Sequence, residues 1–425
     1  MISSSRKHPV VSAAIFLSLP LLFWIGCSSW HYTVSEKSDI AFYQPPQTTH
    51  LLDNPDPGRP RNIILCIGDG MGTNQIALAR QAAVGAAGRL WMEQMPYTAL
   101  VSTHNVRGEV TDSAAAITAI LCGIKTRNDR LGQDEKGVNW ISLPQRLRSD
   151  GCRLGVVVTS AITHATPAGM AAHVPNRDLE ARIAEQMFDA RIDVLLGGGR
   201  KYWLPDSEPE GFRADRRNLL AEAQRAGYTL VRNQQQLQAV EQGRVLGLFQ
   251  AEALTTLPPE PSLQEMTQAA LRILTNSKPE KPFFLLIEGS QIDWACHANQ
   301  EEVCIRQTLL FDLAVREALN YAAADKQTLV LVTADHETGE LTLSGGSLKP
   351  NLMKAHWSSK NHSAAQVALF AFGPGAEQFT GVLDNTEISR RIAHLLGIED
   401  FPKTLPKKRA AAQSTSIQMA SILSN

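Results

Sequence analysis

At 425 residues the chain is long enough for a large core, and its formal net charge of −1 comes with no sustained basic block in the body. That excludes the electrostatic footprint of a nucleic-acid-binding protein, so any anion recognition must be local. A length prior of about 150 residues per domain is soft enough to allow one big α/β unit.

The first 27 residues set Arg6, Lys7 and His8 ahead of an apolar run from Val10 to Ile25. This is the layout of an export signal, and the run is short for a membrane span. It closes on Gly26-Cys27, a small residue directly before a cysteine, which resembles a bacterial lipoprotein signal. A lipid anchor on Cys27 is therefore expected, with plain secretion or an uncleaved anchor as the alternatives. Residues 28–60 are polar and Pro-rich, as in a spacer. Residues 61–400 then form the predicted catalytic domain and 401–425 a polar tail, in which Lys407-Lys408-Arg409 is read as a solvated charge run. Six cysteines stand at 27, 66, 122, 152, 296 and 304. Cys66 reads as a buried small hydrophobe. Cys296 and Cys304 could bridge in an oxidising compartment, but connectivity does not follow from sequence.

The apolar runs Asn62–Ile67, Leu154–Thr159, Asp193–Leu196, Pro282–Ile287, Thr328–Thr333 and Gln366–Phe372 alternate with helix-like stretches at Leu179–Ala190, Asn218–Ala226, Ser262–Thr275 and Gln307–Ala323. Continuous Val/Ile/Leu runs alternating with helices predict a large, mostly parallel central sheet with helices on both faces, a three-layer sandwich. Ligands in such sheets bind beyond the carboxyl ends of the strands. Four runs lead there into candidate metal ligands. Asn62–Ile67 leads to Asp69; Leu154–Thr159 to His164 and Thr166; Pro282–Ile287 to Glu288, Asp293 and His297; Thr328–Thr333 to Asp335 and His336. Carboxylates and imidazoles gathered at one sheet edge repel or stay unpaired unless a cation neutralises them.

Each piece alone has an ordinary reading. Gly68-Asp69-Gly70-Met71-Gly72 lacks the third glycine of a dinucleotide loop, with Thr73 in its place. Asp293 and His297, spaced i,i+4, share a helix face whether they bind metal or merely pair on a surface. Asp335-His336 after a strand could be a turn. Their joint arrival at strand ends is the stronger signal.

Between the first two of these runs, Glu109-Val110-Thr111-Asp112-Ser113-Ala114-Ala115-Ala116 puts a lone hydroxyl at the start of an Ala-rich helix. Asp112 is a good N-cap, so Ser113 sits where free N–H groups and the helix dipole favour an alkoxide or a phosphate. An ordinary capped helix is the bland alternative.

These blocks together resemble the alkaline phosphatase family, from about Arg61 to Gly397. The resemblance is carried by Asn62 to Gly72, Thr111 to Ala115, His164-Ala165-Thr166-Pro167-Ala168-Gly169, Glu288-Gly289 through Asp293 and His297, Thr333 to Glu337, and Asn361-His362-Ser363 followed by Phe372-Gly373-Pro374-Gly375. It implies hydrolysis of small phosphate monoesters through a phosphoserine on Ser113, assisted by two zinc ions and one magnesium. Asp293, His297 and His362 resemble the first zinc site, and Asp69, Asp335 and His336 the second, next to Ser113. Asp69, Thr166 and Glu288 resemble the magnesium ligands, and Arg177 the arginine that clamps phosphate beside Asp112. His362 is preferred over His356, which lacks the context. At His164 and Trp294 the well-studied enteric form has Asp and Lys. The substitution implies weaker magnesium binding with zinc able to compete, and a weaker hold on phosphate. The resemblance also implies a homodimer; the N-terminal signal implies a protein exported to the periplasm or anchored in the cell envelope, and the short stretch between His336 and His362 marks a compact bacterial form.

Two other classes fit less well. A related hydrolase acting on sulfate or phosphodiesters shares the superfamily, but Ser113-Ala114-Ala115-Ala116 lacks the x-Pro-x-Arg that a sulfatase nucleophile needs. An exported binder without turnover should have lost the nucleophile or the arginine, and this chain keeps both.

Overall fold

A computed structural model describes residues 40–55, 58–276, 280–344 and 354–406. The strands are β1 (Asn62–Gly68), β2 (Tyr97–Ser102), β3 (Arg153–Ala161), β4 (Val194–Gly198), β5 (Tyr228–Val231), β6 (Arg244–Leu248), β7 (Phe283–Gly289), β8 (Thr328–Thr333), β9 (Glu337–Thr338), β10 (Leu341–Ser344), β11 (Lys354–Trp357), β12 (His362–Ser363), β13 (Val367–Phe372) and β14 (Gly381–Asp384). The helices are α1 (Thr73–Val84), α2 (Ser113–Cys122), α3 (Leu143–Ser149), α4 (Ala165–Ala168), α5 (Glu180–Asp189), α6 (Leu219–Arg225), α7 (Gln234–Gln238), α8 (Leu263–Thr275), α9 (Gln291–His297), α10 (Glu301–Asp325) and α11 (Glu387–Leu395).

Ten strands form one sheet in the order β14-β2-β13-β8-β1-β7-β3-β4-β6-β5. Every neighbouring pair is parallel except those made by β13, which runs against both β2 and β8. The central strands β1, β3, β7 and β8 are buried along their whole length, because helices cover both faces. Helices α8 and α10 lie over β3, β7, β1 and β8, and α1 packs on α10. A separate group, α2 with α3, α4 and α11, reaches β3 and β7 through α3 and α4. The sandwich read from the sequence is therefore the observed architecture.

All six predicted strands are present, and the four that lead to candidate ligands are direct neighbours in the order β8-β1-β7-β3. Four further strands of this sheet, β2, β5, β6 and β14, went unread: β2 and β14 have half-exposed patterns and β5 is only four residues long. Helix α10 starts at Glu301, ahead of the expected Gln307, since Glu301 and Glu302 suit its first turn.

The expected spacer is not free of the domain where it is described. Tyr43 is buried and its hydroxyl donates to Asp312 Oδ2 at 2.7 Å. Trp91 Nε1 donates to the Gln44 carbonyl at 2.8 Å, and Gly373 N donates to Asn54 Oδ1 at 2.8 Å. An aromatic with a satisfied hydroxyl is a strong reason for a polar segment to dock. The start of the tail docks too, through Ile141 N to the Lys403 carbonyl and Leu405 N to the Asn139 carbonyl, each 2.8 Å. The export signal and Cys27 lie outside the described residues. Among the described residues no helix is long and apolar enough to cross a membrane. Cys296 and Cys304 are unbridged, with their Sγ atoms 3.7 Å apart.

Candidate metal and phosphate centre

The carboxyl ends of β8, β1, β7 and β3, joined by His362 from β12, bring the sequence-derived ligands into three groups. Asp293, His297 and His362 form one, Asp69, Asp335 and His336 a second, and Asp69, His164 and Glu288 a third; in each, one ligand atom per residue lies within 4.8 Å of the others. Asp69 is shared by two groups because β1 lies between β8 and β7. Gly70 takes φ +68°, and a Cβ there would stand 2.8 Å from the Asp293 Cα, so only glycine lets the chain after Asp69 pass this close to α9.

In the first group the i,i+4 pair of α9 sits as expected, with His297 Nε2 3.2 Å from Asp293 Oδ2. His362 Nε2 is 3.2 Å from His297 Nε2 and 3.7 Å from Asp293 Oδ1. Both rings are oriented from behind by backbone carbonyls: His297 Nδ1 lies 2.5 Å from the Lys360 oxygen, and His362 Nδ1 2.9 Å from that of Thr111. A carbonyl can only accept, so each Nδ1 donates to it and each Nε2 is the nitrogen turned toward the centre.

The second group is fully buried. His336 Nε2 is 3.2 Å from Asp335 Oδ2 and 3.6 Å from Asp69 Oδ1, and the ring stacks on His362 with centroids 3.6 Å apart. Asp335 Oδ1 accepts from Gly70 N and His336 N at 3.1 and 2.9 Å, which leaves Oδ2 facing inward. Thr338 was not singled out from the sequence. Its hydroxyl donates to Asp293 Oδ1 at 2.5 Å and lies 3.2 Å from His336 Nδ1, joining the first two groups from behind. The one available signal was its place two residues after His336.

Burial and mutual repulsion dominate the electrostatics. Asp69 is raised well above the carboxylate range by burial and then by Asp335, Asp293 and Glu288. Burial lifts Glu288 to about 7, and burial with the nearby Asp293 lifts Asp335 to about 6. Burial also pulls Asp293 upward, but its hydrogen bond to His297 and the charges of the three histidines outweigh that and hold it below its usual range. His336 is driven well below its usual value by burial and His362, and His164 down to about 3 by burial and Arg177.

Ser113 opens α2 and is 2% exposed. Asp112 caps the helix as expected, its Oδ1 accepting from Ala115 N at 2.9 Å. Ser113 Oγ lies 3.3 Å from His336 Nε2, at the edge of the second group. Asp112 Oδ2 accepts from Asp129 N at 2.9 Å and faces Arg177 Nη1 at 3.4 Å, while Arg177 Nη2 reaches His164 Nε2 at 2.9 Å. Trp294 sets its ring edge-on to that of His164, centroids 6.1 Å apart. Thr166 sits on α4, which touches β7, and its hydroxyl is buried without a partner. The sequence reading put His164 both among the candidate metal ligands and beside phosphate, and the structure sets it in the third ligand group and against Arg177.

The alkaline phosphatase family model matches residues 60–354 and 351–398. "Alkaline phosphatase 4" of Bacillus subtilis (strain 168) is 32% identical, covering 80% of this chain and 90% of its own. The structure of alkaline phosphatase from the Antarctic bacterium TAB5 superposes with a TM-score of 0.72 at 33% identity, over 80% of this chain and 99% of that one. A histidine mutant of the TAB5 enzyme with Mg bound in its M3 site superposes with a TM-score of 0.72 at 32% identity and the same coverage.

Proposed function

The chain belongs to the alkaline phosphatase family and is a phosphomonoesterase, and from that premise we propose that it turns over through a phosphoserine on Ser113, assisted by two zinc ions and one magnesium. The family assignment sets aside the binder without turnover.

The residues fit such ions on chemical grounds. Both oxygens of Asp69, Oε1 of Glu288, Oδ2 of Asp335 and Oγ1 of Thr166 are buried with no hydrogen-bond partner. Buried anions in that state are costly unless a cation meets them. Asp293, His297 and His362 would hold one zinc and Asp69, Asp335 and His336 the other, a nitrogen-and-oxygen donor mix that suits it. Asp69, Glu288 and Thr166 would hold magnesium through oxygen. Bound there, the ions supply Lewis acidity that lowers the pKa of a hydroxyl and offsets charge on oxygen.

The rest falls to this chain's own groups. Arg177 is held by Asp112 so that its planar fork can receive two phosphate oxygens. The free N–H groups at the start of α2 add a second anion site on the same phosphate. Ser113 Oγ, having lost its proton, bonds to phosphorus as the alcohol oxygen leaves from the opposite side. Water then displaces Ser113 from phosphorus, releasing inorganic phosphate.

The observation that carries the reading is the Ser113 hydroxyl, buried at a capped helix N-terminus 3.3 Å from His336 Nε2. Acid quench after mixing with a phosphate monoester labelled on phosphorus should leave label on the Ser113 peptide; its absence at every quench time overturns the proposal. An aryl monoester, a diester and a sulfate ester assayed side by side should favour the monoester. We further propose export to the cell envelope, with Cys27 as a lipid anchor, and a homodimer. The first rests on residues 1–27 and the second on family resemblance; intact mass of the mature protein and sedimentation test them.

A further inference from the structure

Glu288 presents its two carboxylate oxygens to different surroundings. Oε1 is buried without a hydrogen-bond partner, and Glu288 belongs to the group with Asp69 and His164. Oε2 accepts from Ser290 Oγ at 2.6 Å, and Ser160 Oγ lies 3.3 Å from the same oxygen. The two hydroxyls are 3.0 Å apart, and both serines are fully buried. They are fixed from the backbone: Ser290 N donates to Thr159 Oγ1 and Ser160 N donates to Ser290 Oγ, each at 3.1 Å. A hydroxyl clamp thus spans the end of β3 and the turn between β7 and α9.

Ser290 is also the N-cap residue of α9, yet its side chain makes no capping bond. A serine at that position normally accepts from the second or third N–H of its helix. This one turns back onto the carboxylate two residues earlier. The terminal torsion of a glutamate is broad and its two oxygens are interchangeable, so an unheld Glu288 could present either oxygen at many angles. The clamp removes that freedom by occupying one oxygen.

We propose that Ser290, assisted by Ser160, is a positioning residue for the third ion: it holds Oε2 so that Oε1 faces Asp69 and His164. The proposal rests on the three-ion reading above. Outer-shell partners of this kind are worth 10–100-fold in metal affinity. Ser290 bears most of the effect, since its contact is the shorter.

Magnesium titrated calorimetrically into protein loaded with two equivalents of zinc per chain, the third site left free, tests this without an activity readout. Ser290→Ala should raise the magnesium Kd about 10–100-fold while zinc content by metal analysis and the melting temperature stay near wild type; Ser160→Ala should raise it less. Ser290→Thr, which keeps a hydroxyl, should recover most of the affinity. A merely structural serine would lower the melting temperature and shed zinc as well, and that pattern overturns the proposal. So does an unchanged Kd in Ser290→Ala when wild type binds magnesium, and that result leaves the three-ion reading intact. No magnesium uptake by wild type overturns the three-ion reading and the clamp with it.

Discussion

Arg177 Nη2 lies 2.9 Å from His164 Nε2, and because a guanidinium only donates, the imidazole must accept there. The proton is thereby assigned to Nδ1, which is buried without a partner. A neutral imidazole has one lone pair. His164 can hold Arg177 or ligate an ion in the third group, and the two uses compete.

An aspartate at this position has two oxygens and escapes the competition, accepting from Arg177 on one and facing the ion with the other. The double substitution His164→Asp with Trp294→Lys should therefore bind magnesium more tightly. It should also lower the Ki for phosphate roughly fivefold, on the order of 1 kcal/mol for one partly solvated charge contact. Unchanged phosphate inhibition together with an unchanged magnesium requirement would show that these residues do not tune the centre.

Ser113→Ala should keep the fold and the zinc content, since Asp112 still caps α2 and none of the three ligand groups includes Ser113. Its kcat should fall by at least ~10²-fold, as expected for a group that bonds to the substrate. Retention of more than about a tenth of wild-type kcat sinks the nucleophile assignment.

Chelation should abolish activity and lower the melting temperature, because the clustered carboxylates then face one another uncompensated. The metal-free protein should also acquire a pH dependence of definite sign. Burial lowers His297, but its hydrogen bond to Asp293 outweighs that and raises it from 6.5 to about 9. Burial raises Glu288 from 4.5 to about 7. Stability from a raised group is complete below its unfolded value and is lost as pH rises through the folded one. His164 and His336 are shifted downward, so their contribution is already complete above 6.5. Between pH 6.5 and 9 the melting temperature of chelated protein should fall with pH, and the zinc-restored protein should not show that fall. Calorimetry showing a flat or rising trend in the chelated form contradicts this assignment.

Asp112 combines two tasks that substitution can separate. Asp112→Asn keeps an oxygen for the Ala115 N–H but removes the charge facing Arg177 and the second oxygen that accepts from Asp129 N. It should raise KM and cost less stability than Asp112→Ala. Asp112→Ala loses the cap as well and should cost about 1 kcal/mol. Equal destabilisation by the two variants in urea titrations would mean that the second oxygen of Asp112, rather than the cap, sets the stability.

Much of this centre was legible in one dimension. Strands β1, β3, β7 and β8 are buried on both faces, so their residues read as continuous apolar runs, and the residue at the carboxyl end of each run must emerge at a sheet edge. Asp69, Glu288, Asp335 and His336 are legible in that way, and Ser113 by its cap. His362 and Arg177 are legible only from family blocks, since no strand-end rule marks them. Tertiary structure alone decided that the four strands are direct neighbours, that β13 runs opposite to β8, and that Asp69 is shared between two groups. It alone turned His164 toward Arg177, placed Thr338 behind Asp293, and set the Ser160 and Ser290 hydroxyls on Glu288. Burial patterns and helix caps are local and leave a periodic or positional trace. The Ser160 hydroxyl, which meets Glu288 from the adjacent strand, leaves none, because the distance between them is set by sheet register, and Ser290, two residues after Glu288, reads in the sequence as an ordinary helix cap.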